Sequence, residues 1–135
     1  MAKISFYLFE KSPERQVEST CRLCRKILRQ TAKIWIYCPD LDIQKQLDDR
    51  LWSFDPNSFL THGINQVDAP ICISADLPNS NEWIVFNFNN HALEPAPEFS
   101  HIIEIVENDE HAKQMGREKF KAYRALGLSP QTHKL

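Results

Sequence analysis

The sequence is poor in glycine, with only three, at positions 63, 116 and 127. A nucleotide-binding loop needs backbone that can close on a phosphate, and glycine is the residue that permits it. The first strand-to-helix turn instead reads Glu10-Lys11-Ser12-Pro13, whose proline also removes an N–H that could have held an anion. Nucleotide binding by that route is not expected. Also missing is an apolar run long enough to cross a bilayer, and a charged-then-apolar N-terminal segment with a cleavage site. A cytoplasmic location is therefore expected, without membrane contact. The five histidines (62, 91, 101, 111, 133) show no HExxH or paired spacing. No serine sits in a nucleophile elbow, and Asp48, Asp49, Asp68 and Asp76 form no recognisable acid/base pair. No enzyme activity, metal or cofactor is expected.

Four cysteines are present, two of them as Cys21-Arg22-Leu23-Cys24. A redox pair belongs just after a strand, at a helix N-terminus that lowers the thiol pKa. These two fall more than a turn inside a predicted helix, on the face of Val17 and Leu28. Core packing is the better account, since free cysteine is among the most buried residue types. Zinc would need two further ligands close by. Cys38 ends one predicted strand and Cys72 lies in another, so both are read as core.

The net charge of −2 conceals a division along the chain. Residues 1–37 hold eight Lys/Arg against three Asp/Glu, residues 38–110 two against fourteen, and residues 111–135 six against one. A globally basic nucleic-acid binder is not expected on this balance. A protein with a basic patch on one side and an acidic patch on another fits better.

Five strands are predicted from runs of β-forming residues: Lys3–Phe9, Lys33–Cys38, Ile71–Ser74, Glu82–Phe88 and His101–Val106. Ser12-Pro13-Glu14 starts a helix to about Gln30, and Asp40 caps a second that runs to about Phe54. Asn108 or Asp109 caps a third, which Gly127 ends. Strand and helix alternate with short connections, which implies parallel pairing through right-handed crossovers. The expected fold is α/β: a three-layer α/β/α sandwich with a mostly parallel, Rossmann-like sheet of about five strands, no nucleotide-binding loop, and one domain over residues 1–135.

Two helical surfaces stand out. On Asp109–Leu126, helical spacing gathers Ala112, Met115, Ala122, Tyr123 and Leu126 on the side expected to face the core. Lys113, Arg117, Phe120 and Arg124 form a different stripe, spaced i, i+4, i+7, i+11. A solvated face accounts for the three cations but not for the ring, whereas a docking site for an acidic, partly apolar ligand accounts for all four. On Asp40–Phe54, Ile43, Leu47, Leu51 and Phe54 make the core stripe, and Trp52 lies about 140° from its centre, on the side of Leu41. Either the segment carrying Phe59, Leu60 and His62 folds back over Trp52, or Trp52 is a protein–protein hot spot.

SFYLF at the N-terminus, the stretch Leu47–Gly63 and above all REKFKAYRALG (Arg117–Gly127) resemble the chi subunit of bacterial DNA polymerase III holoenzyme. The similarity extends over essentially the whole chain. The resemblance implies an α/β protein that is not an enzyme, that joins the clamp loader through the small psi subunit, and that binds the acidic C-terminal tail of single-stranded-DNA-binding protein. It places Lys113, Arg117 and Arg124, with Lys121 adjacent, among the tail-binding cations, and Phe120 where the family commonly has tyrosine. Tyr123 matches the second aromatic of that motif, and Thr132 a position near the same pocket. The psi-facing surface matches Trp52, Phe59, Leu60 and His62. Phenylalanine at 120 lacks the family's hydroxyl, and the tail Gln131–Leu135 lacks its Trp-Lys ending. Little or no direct DNA binding is expected. The readings kept beside it are a degenerate nucleotide-fold enzyme, a direct DNA-binding module, and an adaptor for a repair helicase through the Trp52 face.

Overall fold

Asp40 starts a helix because its carboxylate accepts the N–H groups of Asp42 and Ile43, at 2.9 and 3.2 Å, that a first turn leaves unpaired. The computed structural model that shows this describes residues 3–9, 19–20, 23, 33–53, 62–64, 71–78, 83–93 and 100–134, with 51–53 and 62–63 as backbone alone. The first helix among them, α1, spans Leu41–Ser53. The second, α2, spans Glu110–Ala125. Of the two capping candidates for α2 it is Asp109 that serves, accepting from the Ala112 N–H at 2.8 Å in an extended backbone conformation. At the other end Gly127 has φ +83, which an L side chain adopts only with strain. Its N–H donates to the Arg124 carbonyl and the Leu128 N–H to the Tyr123 carbonyl, the paired closure of a Schellman turn.

Among the described residues seven strands form one sheet: β1 Lys3–Leu8, β2 Lys33–Tyr37, β3 His62–Ile64, β4 Ile71–Ser74, β5 Trp83–Asn87, β6 His101–Val106 and β7 Gln131–Lys134. Their order is β3-β4-β2-β5-β6-β1-β7, and every pairing is parallel. The five expected strands are all present. β3 and β7 were not foreseen, and they are the two edges. β3 is three residues long, and all four side chains of β7 are exposed, so neither carries the apolar pattern that announces a strand. β7 is held by pairing with β1 in the register Ser5↔Gln131 to Leu8↔Lys134 and by His133 stacking on Tyr7 at 4.9 Å.

The sheet is covered on both faces. Alternate residues Ile4, Phe6, Trp35, Val85 and Ile102 pack with Tyr123 and Phe120 of α2. The intervening set, Ile34, Ile36, Ile71, Ile73, Phe86 and Ile103, packs with Leu47 and Ile43 of α1 and with Leu23. The architecture is the expected α/β/α sandwich. Cys38 and Cys72 are both buried, and burial pushes the Cys38 thiol up to about 11. The helix expected from Ser12 to Gln30, with the pair Cys21 and Cys24, lies outside the described residues apart from Ser19, Thr20 and Leu23, which are helical. Also outside lie Phe54, Phe59, Leu60, the Glu10–Pro13 turn and the proline-containing stretch 94–99.

The face of α2 turned to the sheet differs from the expectation. Tyr123 is buried as foreseen, but Leu126 is 40% exposed because it caps the helix beyond the sheet's cover. Gly116 and Lys119 are buried instead. Gly116 lies against Val106, where an added Cβ would come within 2.9 Å of Cγ2, so the absent side chain lets the helix settle on β6. Lys119 reaches down to Glu104, whose side chain is 1% exposed on β6.

Candidate functional site

Among the described residues, one cluster of chemistry-bearing side chains is closed to solvent and another borders an open groove. The closed one is a buried network around Glu104. Its carboxylate accepts from Lys119 Nζ at 2.9 Å, Tyr123 Oη at 2.5 Å and Asn87 Nδ2 at 2.6 Å. The Tyr123 hydroxyl also accepts the Leu93 N–H at 3.1 Å, and Asn87 donates to the His91 carbonyl at 2.9 Å. Burial raises the Glu104 pKa despite these partners, and raises that of Tyr123 as well, with the nearby carboxylate adding to it. With every polar atom of the carboxylate engaged, the network joins β5, β6, α2 and the turn after β5. It is a structural clamp.

The open place is a groove of about 390 Å³ between α2 and the β1–β7 edge, within the range of small-ligand sites. Its apolar floor is Phe6, Leu8, Phe9 and Val106. Phe120 forms a wall, half-buried with its ring tilted on Phe6 at 5.5 Å between centroids. Lys113, Arg117 and Thr132 supply the polar side, and Glu107 and Glu110 also reach it. The parallel register sets Thr132 beside Phe6, which puts a short side chain of β7 next to the aromatic floor. Arg117 donates to Gln114 Oε1 at 3.1 Å and has no carboxylate partner among the described residues, nor does Lys113.

The structure therefore brings together four of the six residues expected to hold an acidic tail: Lys113, Arg117, Phe120 and Thr132. Lys121 and Arg124 are exposed on α2 but do not line the groove. Arg124 lies two turns beyond Arg117 on the same stripe, about 10 Å along the axis. The ring of Phe120 is shared, packing inward on Phe6 while bordering the opening, so the apolar and basic stripes of the sequence meet there. Of the second expected surface, Trp52 is in the last turn of α1 and His62 begins β3, against which α1 packs; Phe59 and Leu60 lie outside the described residues. Among exposed large apolar residues Leu41 is 73% exposed at the start of α1.

The floor residues Phe6, Leu8, Phe9 and Val106 could not be assigned from sequence, because strands buried on both faces give no sign of which face opens. Among the described residues no group of three His, Cys, Asp or Glu is placed to hold a metal. A Ser–His contact exists, Ser5 Oγ to His101 Nε2 at 3.0 Å, but Ser5 is 1% exposed and cannot meet a substrate. Burial lowers the His101 pKa to about 4, so its ring stays neutral. No helix among the described residues is long and apolar enough to cross a membrane.

Residues 1–131 match the sequence profile of the family described as DNA polymerase III chi subunit, HolC. The chain is 30% identical to DNA polymerase III subunit chi of Pseudomonas aeruginosa, covering all of this chain and 98% of that one. It is 29% identical to the subunit of the same name from Haemophilus influenzae and 25% identical to that from Escherichia coli, each over 98% of this chain and 97% of the relative.

Proposed function

The chain belongs to the DNA polymerase III chi subunit family, an accessory component of a replicative polymerase, and from that premise we propose that it is a non-catalytic adaptor. One surface holds the psi subunit of the clamp-loader complex. The other grips the acidic C-terminal tail of single-stranded-DNA-binding protein. The observation that carries this reading is the groove, where an apolar floor lies beside two cations that have no carboxylate partner among the described residues. A peptide ending in phenylalanine would set its ring on Phe6 and Phe120 and its carboxylates on Lys113 and Arg117, with Arg124 meeting acids upstream. Ring burial is worth about 2 kcal/mol and each charge-assisted hydrogen bond about 1.5–3 kcal/mol before ordering losses. The net expectation is micromolar affinity that weakens as salt rises. Tails displayed in numbers on coated DNA would strengthen it through avidity.

The placement of the two surfaces suits a bridge. The groove lies at the β1–β7 edge under α2, while Trp52 and His62 belong to α1 and β3, on the other face and at the opposite edge. Six strand spacings separate the edges, on the order of 29 Å, so the two ligands need not collide. The direct test is a calorimetric titration with a short acidic peptide ending in a free phenylalanine carboxylate. Wild type is expected to bind at micromolar Kd and Arg117→Ala about ten- to a hundredfold more weakly. Equal binding by both proteins would remove the site. Naked oligonucleotide in the same assay should bind weakly; tight, steeply salt-dependent binding would favour the direct DNA-binding alternative.

A further inference from the structure

We infer that a cavity beyond the carboxyl ends of β2 and β5 is a binding site for a nucleobase, taken without its phosphate. It shares no described lining residue with the groove at the β1–β7 edge, and it does not rest on what that groove holds.

In a parallel α/β sheet, ligands collect beyond the carboxyl ends of the strands, where neighbouring strands send the chain to opposite faces. β2 and β5 are such neighbours. After Tyr37 the chain leaves β2 for α1, which packs on one face. After Asn87 it turns to the other face, where Leu93 joins the core with α2 and its N–H donates to the Tyr123 hydroxyl. Beside these exits and against α2 lies a cavity of about 460 Å³, within the size range of small-ligand sites.

Its lining suits a flat, uncharged ring with polar edges. Tyr37, half-buried, contributes an aromatic ring, and Leu93 and Ala122 contribute apolar surface. Asn90 and His91 are exposed at the cavity, and neither side chain has a hydrogen-bond partner among the described residues. A carboxamide donates and accepts side by side, which matches the edge of a base. Lys119, 9% exposed, also lines the cavity. It donates one N–H to Glu104 at 2.9 Å, and its remaining N–H groups have no acceptor among the described residues. Buried donors without acceptors are costly, and a ring nitrogen or carbonyl oxygen of a base supplies one.

The same residues disfavour an anion. Lys119 is already neutralised by Glu104, and Glu118 adds an exposed carboxylate. Among the described lining residues there is no arginine, no second lysine and no glycine, and the N-terminus of α2 lies elsewhere. A phosphate would therefore find neither charge nor backbone donors. An aromatic ring beside unpaired donors and acceptors is instead how proteins hold an unstacked base. Such a base arrives as a free nucleoside or as one residue of a single strand, and the experiment separates the two.

The whole chain is titrated with adenosine, inosine (a soluble analogue of guanosine), cytidine and thymidine in turn, while its backbone amide resonances are followed. At least one nucleoside should shift the amides of Asn89–Leu93 and Ala122, with half-saturation at about 1 mM, the strength expected of one stacked, hydrogen-bonded base. Asn90→Ala should weaken that binding about three- to tenfold, and Tyr37→Leu by at least about fivefold. The 5′-monophosphate of the same nucleoside should bind no more tightly. A tetranucleotide carrying that base, compared with one abasic at the same position, gives the source: base-dependent shifts at these amides assign a single strand, and their absence a free nucleoside. No shift at these amides with any nucleoside at about 10 mM would overturn the site, as would a monophosphate held at least about tenfold tighter. Binding by Asn90→Ala and Tyr37→Leu that both match wild type would overturn it equally.

Discussion

Lys119→Met is expected to lower the unfolding free energy by about 3–5 kcal/mol, enough to consume a large part of an ordinary domain's stability. The reason is the partner left behind. Glu104 is wholly enclosed on β6, and its charge is tolerated because Lys119, Tyr123 and Asn87 all donate to it. Tyrosine and asparagine supply hydrogen bonds but no charge. Without the ammonium, a carboxylate stays buried with its desolvation uncompensated. The pH dependence identifies the cause. Glu104 already has a raised folded-state pKa from burial, and loss of the lysine raises it further. A carboxyl whose folded pKa exceeds its unfolded value loses stability as pH rises between the two. The deficit of Lys119→Met should therefore grow as pH rises above the ordinary carboxylate range and shrink as pH falls back towards it, because folded Glu104 has by then taken up a proton. Urea unfolding of both proteins across that interval measures it. Removing both charges with Glu104→Met and Lys119→Met together should cost less than the two single changes added, since neither charge is then stranded.

The second large effect concerns binding. Reversing both groove cations, Lys113→Glu with Arg117→Glu, should abolish capture of the acidic peptide. Losing two charge-assisted contacts at about 1.5–3 kcal/mol each shifts a micromolar Kd by about two to four orders of magnitude, beyond detection in an ordinary titration. Both side chains are on the outer part of α2, half-buried or exposed, and neither takes part in the Glu104 network. The fold should survive, which circular dichroism and the urea midpoint verify. The same variant should gain affinity for a lysine-rich peptide ending in phenylalanine amide. A variant that still binds the acidic peptide would show that the basic stripe is only a solvated surface.

How much of this could be read in advance follows from where each residue's burial comes from. The five inner strands were legible because their apolar runs are covered on both faces. Asp40, Asp109 and Gly127 announced helix ends through chemistry that acts within a few residues. Phe120 was legible as an anomaly, a ring among cations, although its contact with Phe6 depends on β1 lying under α2. β7 was not legible, because QTHK is held by backbone pairing with a strand more than a hundred residues earlier rather than by burial of its side chains. Glu104 was equally hidden. In HIIEIV it resembles the polar position of an exposed strand face, and its burial becomes sensible only once Lys119 is known to descend from a helix fifteen residues later. Lys119 in turn reads as one more cation of a basic helix. The groove's floor, formed by Phe6, Leu8, Phe9 and Val106, depends on where the sheet stops being covered, which is set by the order of strands rather than by any local pattern.

Bridging requires that the two surfaces work at once, and one titration decides it. The protein is first saturated with psi subunit, and the acidic peptide ending in a free phenylalanine carboxylate is then titrated into the complex. The two-edge arrangement predicts a peptide Kd within about twofold of that for the free protein, with one peptide per complex and psi retained. Displacement of psi by the peptide, or peptide binding abolished by psi, would mean a shared surface and would contradict the adaptor.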